Sequence, residues 1–419
     1  MKSFFPILFG VLLFGHGLRA GELLTWEALP PIPNETGVAG PFTGIHEEAL
    51  IVAGGANFPG AVWEVEKVWH DEIFVLPLGD GEPAWKSAGK LPKPLGYGTT
   101  VSLPEGILCI GGNDASSLSD SAFLLKWNGQ EVEIEVLPNL PTPVCYAAAV
   151  KLGNFIYLAG GQHGPGLDSA TSAFLRLDWS KRSDPEAFLW ESLADIPGEG
   201  RAFHSLVTQS NGRHEVIYLL GGRHVDGNGE VKFLPKVFQF DPLKKEMPWT
   251  RKADLPTPLA AGTVAAVGQS HLVTLAGADG SLFAQSDEMK DRHPGFPKSS
   301  YAYHTITDTW IEAGQLPQNQ VTTEVVAAGD EWFLISGEVR PRVRTPDVWK
   351  ITPLPGEVAF AAANWVAIVL YLGGVIGIGV FFSRRNKSTD DFFRGGQRVP
   401  SWVAGLSIFA TLLSSITFI

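Results

Sequence analysis

Cysteine is almost absent: Cys109 and Cys145 are the only two in 419 residues. That excludes a disulfide framework, so a stable fold must rest on a large hydrophobic core. Both lie in apolar strand patterns, GILCIGG and PVCYAAAV, and read as small buried hydrophobes rather than a disulfide or a reactive pair. No metal-ligand spacing of Cys and His is visible. Basic residues are scarce as well. Residues 21–357 hold 25 Lys and Arg against 42 Asp and Glu, a net charge of about −17. This argues against a nucleic-acid partner gripped through phosphates, and an anionic ligand would need local cations.

One stretch lacks charge altogether. Residues 358–382 contain no charged side chain, and at about 1.5 Å per residue they would reach about 37 Å, enough for a first transmembrane helix. Arg384, Arg385, Lys387, Arg394 and Arg398 crowd the loop 383–399, so that loop is expected in the cytoplasm and everything before 358 outside. Residues 400–419 start a second apolar helix that ends without a closing charge, and the chain is expected to be a piece of a longer protein. At the other end, residues 1–20 set Lys2 before an apolar run from Phe4 to Phe14 and finish on Ala20. This is the plan of a secretory signal cleaved after Ala20; an uncleaved anchor is the alternative, since Leu18 stands where a small residue is usual. Either exports the segment 21–357.

That segment is rich in Gly, Pro and Trp, and it repeats. Six apolar strands end in glycine: LIVAGG at Gly55, LCIGG at Gly112, IYLAGG at Gly161, IYLLGG at Gly222, VTLAGA at Gly277 and FLISGE at Gly337. In step with them runs a ladder of turns ending in Leu-Pro or Ile-Pro, led by Trp26, Trp85, Trp190, Trp249 and Trp310, with the third copy, EVLPNLP, lacking its Trp. A unit of roughly 50–60 residues that cannot bury its own apolar face must stack on copies of itself, and this period is close to that of kelch repeats. The expectation is an all-β, six-bladed kelch-type β-propeller with tryptophans packed between blades. Because WEALP at Trp26 precedes any glycine strand and the sixth glycine strand has no Trp strand of its own, the N-terminal strand is expected to complete the last blade and close the ring.

Closed propellers bind small molecules at the central channel, so polar residues that follow the glycines or open the next blade are candidates. They are Asn57, Asn113, Asp114, Gln162, His163, Arg201, His204, Arg223, His224, Glu338, Arg340, Arg342 and Arg344. Arg201 and His204 in GRAFHS read as ties between blades. The segment SGEVRPRVRTPDVW differs: Glu338 stands where a second glycine is usual, followed by three arginines.

That segment resembles the G-E-x-K-P-x-x-R-T stretch of bacterial N-acetylneuraminate mutarotases, which are six-bladed kelch propellers. TGVAGPFTGIHEEALIVAGGANF at 36–58 resembles a second motif of that family, G-V-A-G-x-F-A-G-I…F-A-G-G-A. The two occur here in reversed order, as in cyclically permuted members. The resemblance implies Glu338 as the catalytic carboxylate and Arg344 as partner of the substrate carboxylate, with Arg340 standing where the family has Lys. Arg342, Asn57, Gln162, His163, Arg223 and His224 are carried as substrate-binding candidates. No cofactor is implied for the propeller.

The end of the chain, GIGVFFSRRNKSTDDFFRGGQRVPSWVAGLSIFATLLSSITFI, resembles the start of sodium:solute symporters. The resemblance implies Na⁺ held by the backbone carbonyls of Ala410 and Leu413, with Ser414 and Thr417 meeting substrate. Together these imply an extracytoplasmic sialic-acid mutarotase attached to a sodium-coupled carrier in the inner membrane. An acidic sugar, the membrane and the missing remainder of the transporter are the implied partners. A non-catalytic sugar- or protein-binding propeller is the alternative. A copper oxidase built on the same repeat is disfavoured, because the cysteines lie in apolar strands and no convincing ligand set is present.

Overall fold

The computed structural model describes residues 23–79, 81–353 and 362–385. The chain divides into two compact units, 1–354 and 355–419. The first is a ring of six antiparallel sheets, each with a four-stranded path, one of which carries a fifth short strand, Val231–Phe233. Blade 1 runs Phe42–His46, Ala49–Ala53, Glu72–Pro77 and Lys86–Lys90, from the channel outward. Blade 4 begins Ala202–Ser210 and Glu215–Val225, and blade 6 begins Val325–Ala328, Glu331–Ile335 and Val348–Pro353.

Blade 6 takes its outermost strand from the start of the chain. Leu24–Leu29 pairs antiparallel with Val348–Pro353, Leu24 opposite Pro353 and Leu29 opposite Val348. The ring therefore closes through hydrogen bonds between the two ends of the propeller sequence, and no open edge is left on Val348–Pro353.

The core lies between blades. Six hydrophobic clusters each join a neighbouring pair, from Phe42 and Phe123 across blades 1 and 2 to Val52 and Phe333 across blades 6 and 1. Trp26, Trp85, Trp190, Trp249 and Trp310 all pack against these clusters. The Trp85 indole donates to the Pro30 carbonyl at 2.8 Å, and that of Trp310 to Ala253 at 3.1 Å, so each also ties its blade to the one before. Where the third ladder copy lacks its Trp, Ile134 packs against the cluster that contains Trp127. Cys109 and Cys145 are free and buried, and burial pushes the Cys145 thiol up to about 12.

The glycine pairs exist because the chain turns hard against the next blade. A Cβ on Gly221, at φ +68°, would stand 2.0 Å from the Leu259 carbonyl oxygen. In blade 6 the same left-handed position is filled by Ser336, at φ +55°. Its hydroxyl accepts from the Val38 N–H at 2.8 Å and reaches the Thr345 carbonyl at 2.7 Å, local bonds that offset the strain. Gly337 is thus the second residue of that pair. Glu338 does not replace a glycine, as the sequence pattern suggested; it is the residue after the pair, equivalent to Ala56, Asn113, Gln162 and Arg223.

Around the axis, one residue per blade at the entry to the inner strand also has positive φ: Gly40, Tyr97, Tyr146, Phe203, Ala261 and Thr322. Backbone bonds run from Tyr97 N–H to Gly40 O (2.7 Å), Tyr146 to Tyr97 (2.9 Å), Phe203 to Tyr146 (2.9 Å), Thr322 to Ala261 (2.7 Å) and Gly40 to Thr322 (2.7 Å). A left-handed non-glycine residue costs about 1–2 kcal/mol, and these hydrogen bonds between neighbouring entries help hold five of them in place.

The second unit contains one described helix, Ala362–Arg385. The expectation of a membrane-spanning helix at 358–382 is not supported: among the described residues no helix is long and apolar enough to cross a membrane. Side chains of this helix are described over 365–377 among others. Those side chains, Val369, Leu370 and Tyr371 among them, are exposed. The expected loop 383–399, apart from its first residues, and the second helix at 400–419 lie outside the described residues, as does the signal segment 1–20.

Candidate functional site

Above the circle of inner-strand entries the channel widens into a cavity of about 560 Å³, within the range of small-molecule sites. Tyr97, Tyr146 and Phe203 form an aromatic side of its floor, with Tyr146 stacked on Phe203 at 4.1 Å between centroids. Ala261 and Thr322 keep the opposite side low. An insertion in blade 5, between His271–Ala278 and Ser299–His304, carries short helical turns over the mouth and contributes Phe283, Asp287 and His293.

The titratable centre is built by a short hairpin, Glu338–Arg340 with Val343–Arg344, whose register sets Glu338 opposite Arg344. Arg342 makes the turn at φ +66°. Glu338 Oε2 lies 2.7 Å from Arg344 Nη1, with the side chains 18% and 4% exposed. Arg344 Nη1 makes no aligned hydrogen bond, so this is a close ion pair of charges rather than a directed bond. Glu338 Oε1 accepts the Arg342 N–H at 3.1 Å. Arg344 also reaches the Ala56 carbonyl (3.4 Å) and the Tyr97 hydroxyl (3.5 Å). Burial pulls the Arg344 guanidinium down, but the Glu338 charge and Tyr97 outweigh it and its pKa stands above the usual value.

The cavity collects further cations despite the acidic composition. Lys67 lies over the rings of Tyr97, Trp69 and Phe58 at 4.9, 5.2 and 5.9 Å. Arg342 lies over Trp63 and Phe58, and Arg223 over Phe203 at 4.0 Å. Burial lowers the Arg223 guanidinium, partly offset by Tyr146 and Glu338. His293 is buried, and its Nδ1 accepts the Gly295 N–H at 3.1 Å, which leaves the ring proton on Nε2. Burial and then Arg340 lower its pKa, so it is neutral near pH 7. Burial raises the Tyr146 hydroxyl, keeping it a donor.

Of the residues expected from the sequence, Glu338, Arg342, Arg344 and Arg223 line this cavity. The others are placed elsewhere. Asn57 is buried in bonds to Gly37, Asn34 and His70. Gln162 bridges Cys145 in the backbone and bonds Gly164. His163 is exposed. His224 follows Arg223 and alternates to the other face of its strand, and Arg340 pairs with Asp291 at 3.2 Å. Asn113 accepts from the Trp69 indole, and Asp114 is held by Ser116, Ser117 and Lys93. Arg201 is fully buried with one bond to Gly221, and His204 is 5% exposed. Ala410, Leu413, Ser414 and Thr417 lie outside the described residues. Lys67, Tyr97, Tyr146, Phe203 and His293 were not foreseen. A signal existed for two of them: Tyr97 and Tyr146 stand 14 residues before Gly111 and Gly160, as Gly40 does before Gly54.

Residues 17–134 match a family model described as N-acetylneuraminate epimerase. The chain is 36% identical over 139 residues to the N-acetylneuraminate epimerase of Yersinia pestis (strain Pestoides F), covering 29% of this chain and 34% of that protein. The Brucella suis (strain ATCC 23445 / NCTC 10510) protein of the same name is 38% identical over 122 residues, 26% of this chain and 30% of the relative. The matches thus span about a third of the length of these curated relatives. A further 60 residues, 14% of this chain, are 53% identical to the sodium/sialic acid symporter NanT of Aliivibrio fischeri (strain ATCC 700601 / ES114), over 12% of its length. In fold, the chain is similar to the solved structure of YjhT at 14% identity, with a TM-score of 0.58 over 76% of this chain and 95% of that one.

Proposed function

We propose that the propeller is a mutarotase for N-acetylneuraminate, exchanging the anomers of its hemiketal. The observation that carries this reading is the Glu338–Arg344 ion pair facing a cavity lined by aromatic rings and by more cations than anions. Anomer exchange requires a base that takes the proton of the anomeric hydroxyl and a donor that protonates the ring oxygen as the ring bond breaks. Re-closure on the other face of the carbonyl returns both protons. Glu338 is the base, held in position by Arg344 and by the Arg342 N–H. His293, neutral and with its proton on Nε2, is the donor toward the ring oxygen. No step calls for a metal or an organic cofactor.

The epimerase similarity supports this substrate. The reversed order of the two motifs supports a ring opened at a different loop, which a closed propeller tolerates because its contacts do not change when the chain ends move. The symporter similarity supports a carrier segment in this chain, and the resemblance of its end to sodium:solute symporters would put Na⁺ at the carbonyls of Ala410 and Leu413 and substrate at Ser414 and Thr417. The exposed apolar side chains of the helix Ala362–Arg385 favour a membrane or carrier environment. On this reading the propeller stands on the extracytoplasmic side and supplies the anomer the carrier takes up.

The test is proton NMR of freshly released α-N-acetylneuraminate with the full chain and with Glu338→Ala. Exchange faster than buffer with the first and not the second is the expected result. No acceleration by the folded wild-type chain, with sugar still bound, would replace the enzyme by a binding propeller.

A further inference from the structure

Arg223 and Glu338 are equivalent residues of blades 4 and 6. Each directly follows the glycine pair, opposite Ala202 in one blade and Val321 in the other, and both line the same cavity. Their surroundings differ in one respect. Arg344, which the family resemblance assigns to the substrate carboxylate, is already committed. Its Nη1 is buried against Glu338, its Nε faces the Ala56 carbonyl and its Nη2 faces the Tyr97 hydroxyl.

Arg223 has no such partner. Among the described residues no carboxylate lies within ion-pair distance of it, and its Nε is buried without an acceptor. Phe203, Phe283 and Phe233 surround the guanidinium at 4.0, 5.4 and 5.8 Å. A desolvated cation without a counter-ion is costly, and the cost is relieved when an anion arrives. The planar fork matches a carboxylate through two parallel N–H bonds, which the Lys67 ammonium cannot offer. Arg342 is fixed at the hairpin turn beside Glu338, over Trp63 and Phe58.

We propose that Arg223, and not Arg344, grips the carboxylate of the sugar acid, while Arg344 only positions Glu338. This rests on the mutarotase reading and sets the orientation within it. The carboxylate of a 2-keto-acid hemiketal is borne by the anomeric carbon. Anchoring it on Arg223 turns the anomeric hydroxyl of that same carbon toward Glu338, which lines the same cavity.

The experiment compares N-acetylneuraminate with its methyl ester, which keeps the hemiketal and loses the charge. Anomer exchange is followed by NMR with the full chain, Arg223→Gln and Arg223→Lys, and binding of both sugars is measured by calorimetry. Loss of a desolvated charge-assisted pair is expected to raise KM and Kd for the acid roughly 100-fold in Arg223→Gln, and kcat should fall as well because the anomeric hydroxyl is no longer turned toward Glu338. The ester should be affected less than about threefold, and Arg223→Lys should restore part of the loss. An equal loss for acid and ester, or none for the acid, would overturn the proposal. Should the wild-type chain bind the acid without exchanging its anomers, the mutarotase reading falls while the binding arm still decides the role of Arg223.

Discussion

Replacing Glu338 by Gln keeps the shape of the side chain and removes the charge. Two consequences can be separated. The first is stability: the Arg344 side chain, 4% exposed, loses the only carboxylate near it among the described residues. Breaking a buried pair from one side costs about 3–5 kcal/mol. Glu338 is 18% exposed and the Gln carbonyl still accepts a hydrogen bond, so the expected loss is about 2 kcal/mol. At roughly 2 °C per kcal/mol for a large domain, the melting temperature should fall by about 4 °C. The second is catalysis: loss of the general base should lower anomer exchange by about 10²–10⁴-fold. Thermal melts and NMR exchange are run on the single variant and on Glu338→Gln, Arg344→Met together. Removing the lone guanidinium should recover stability without recovering activity. A double variant as unstable as the single one would refute the electrostatic account, and a loss of exchange below tenfold would refute Glu338 as the base.

His293→Leu should lower kcat for exchange by about tenfold or more with little change in KM, because it removes the donor to the ring oxygen and no ground-state contact to the carboxylate; unchanged kcat would remove His293 from the mechanism. His204 makes the propeller acid-sensitive. Burial and then the neighbouring Arg201 push its pKa down to about 3 from 6.5. Between those values the unfolded chain takes up a proton that the native state refuses, so its contribution is present above pH 6.5 and lost as pH falls toward 3. At pH 4.5 the loss should be about 2–3 kcal/mol by denaturant titration, and largely absent in His204→Leu; equal losses in both would exclude His204 as the cause. A chain beginning after Pro31 lacks the strand that closes blade 6 and should melt at least 10 °C lower and aggregate through the bared edge of Val348–Pro353; an unchanged melt would show that the ring does not depend on this closure.

The fold was legible because packing repeats. A glycine strand and a strand ending in a Leu-Pro or Ile-Pro turn recur in phase six times, five of the latter with Trp, and the glycines answer a steric demand such as the 2.0 Å approach of a Gly221 Cβ to Leu259 O. The closing strand was legible from the same phase, since a ladder that begins with its last rung can only be completed at the other end. The site was legible only where its residues follow those glycines, as Arg223 and Glu338 do. Even there the register was misread by one, because Ser336 takes the left-handed position by hydrogen bonding rather than by lacking a side chain. Gln162 sits in the same place and faces a backbone carbonyl instead, and Asn57, one residue further on, is tied up by Gly37, Asn34 and His70, choices made by local hydrogen bonds that no periodicity encodes. Lys67 and His293 come from loops outside the repeat, where spacing carries no information.

The charges at the cavity bear on what it accepts. Lys67, Arg223, Arg342 and Arg344 line it against Glu338, Asp279 and Asp287, leaving one net positive charge inside a propeller whose sequence region is about −17. The acidic exterior repels anions in general, so an anion that enters must exchange that repulsion for direct contact with a cation. A monoanionic sugar acid brings the cavity to neutrality, with its charge on the guanidinium that lacks a partner. A sugar phosphate, carrying nearly two charges, would leave the cavity negative, and its phosphate either sits on another carbon or blocks the anomeric hydroxyl. Both considerations favour a carboxylate borne by the reacting carbon, so a sugar acid with its carboxylate at the anomeric position should compete for the site at least tenfold better than a sugar phosphate of the same size. Equal competition by the two in the NMR exchange assay would show that the cavity selects charge and not its placement.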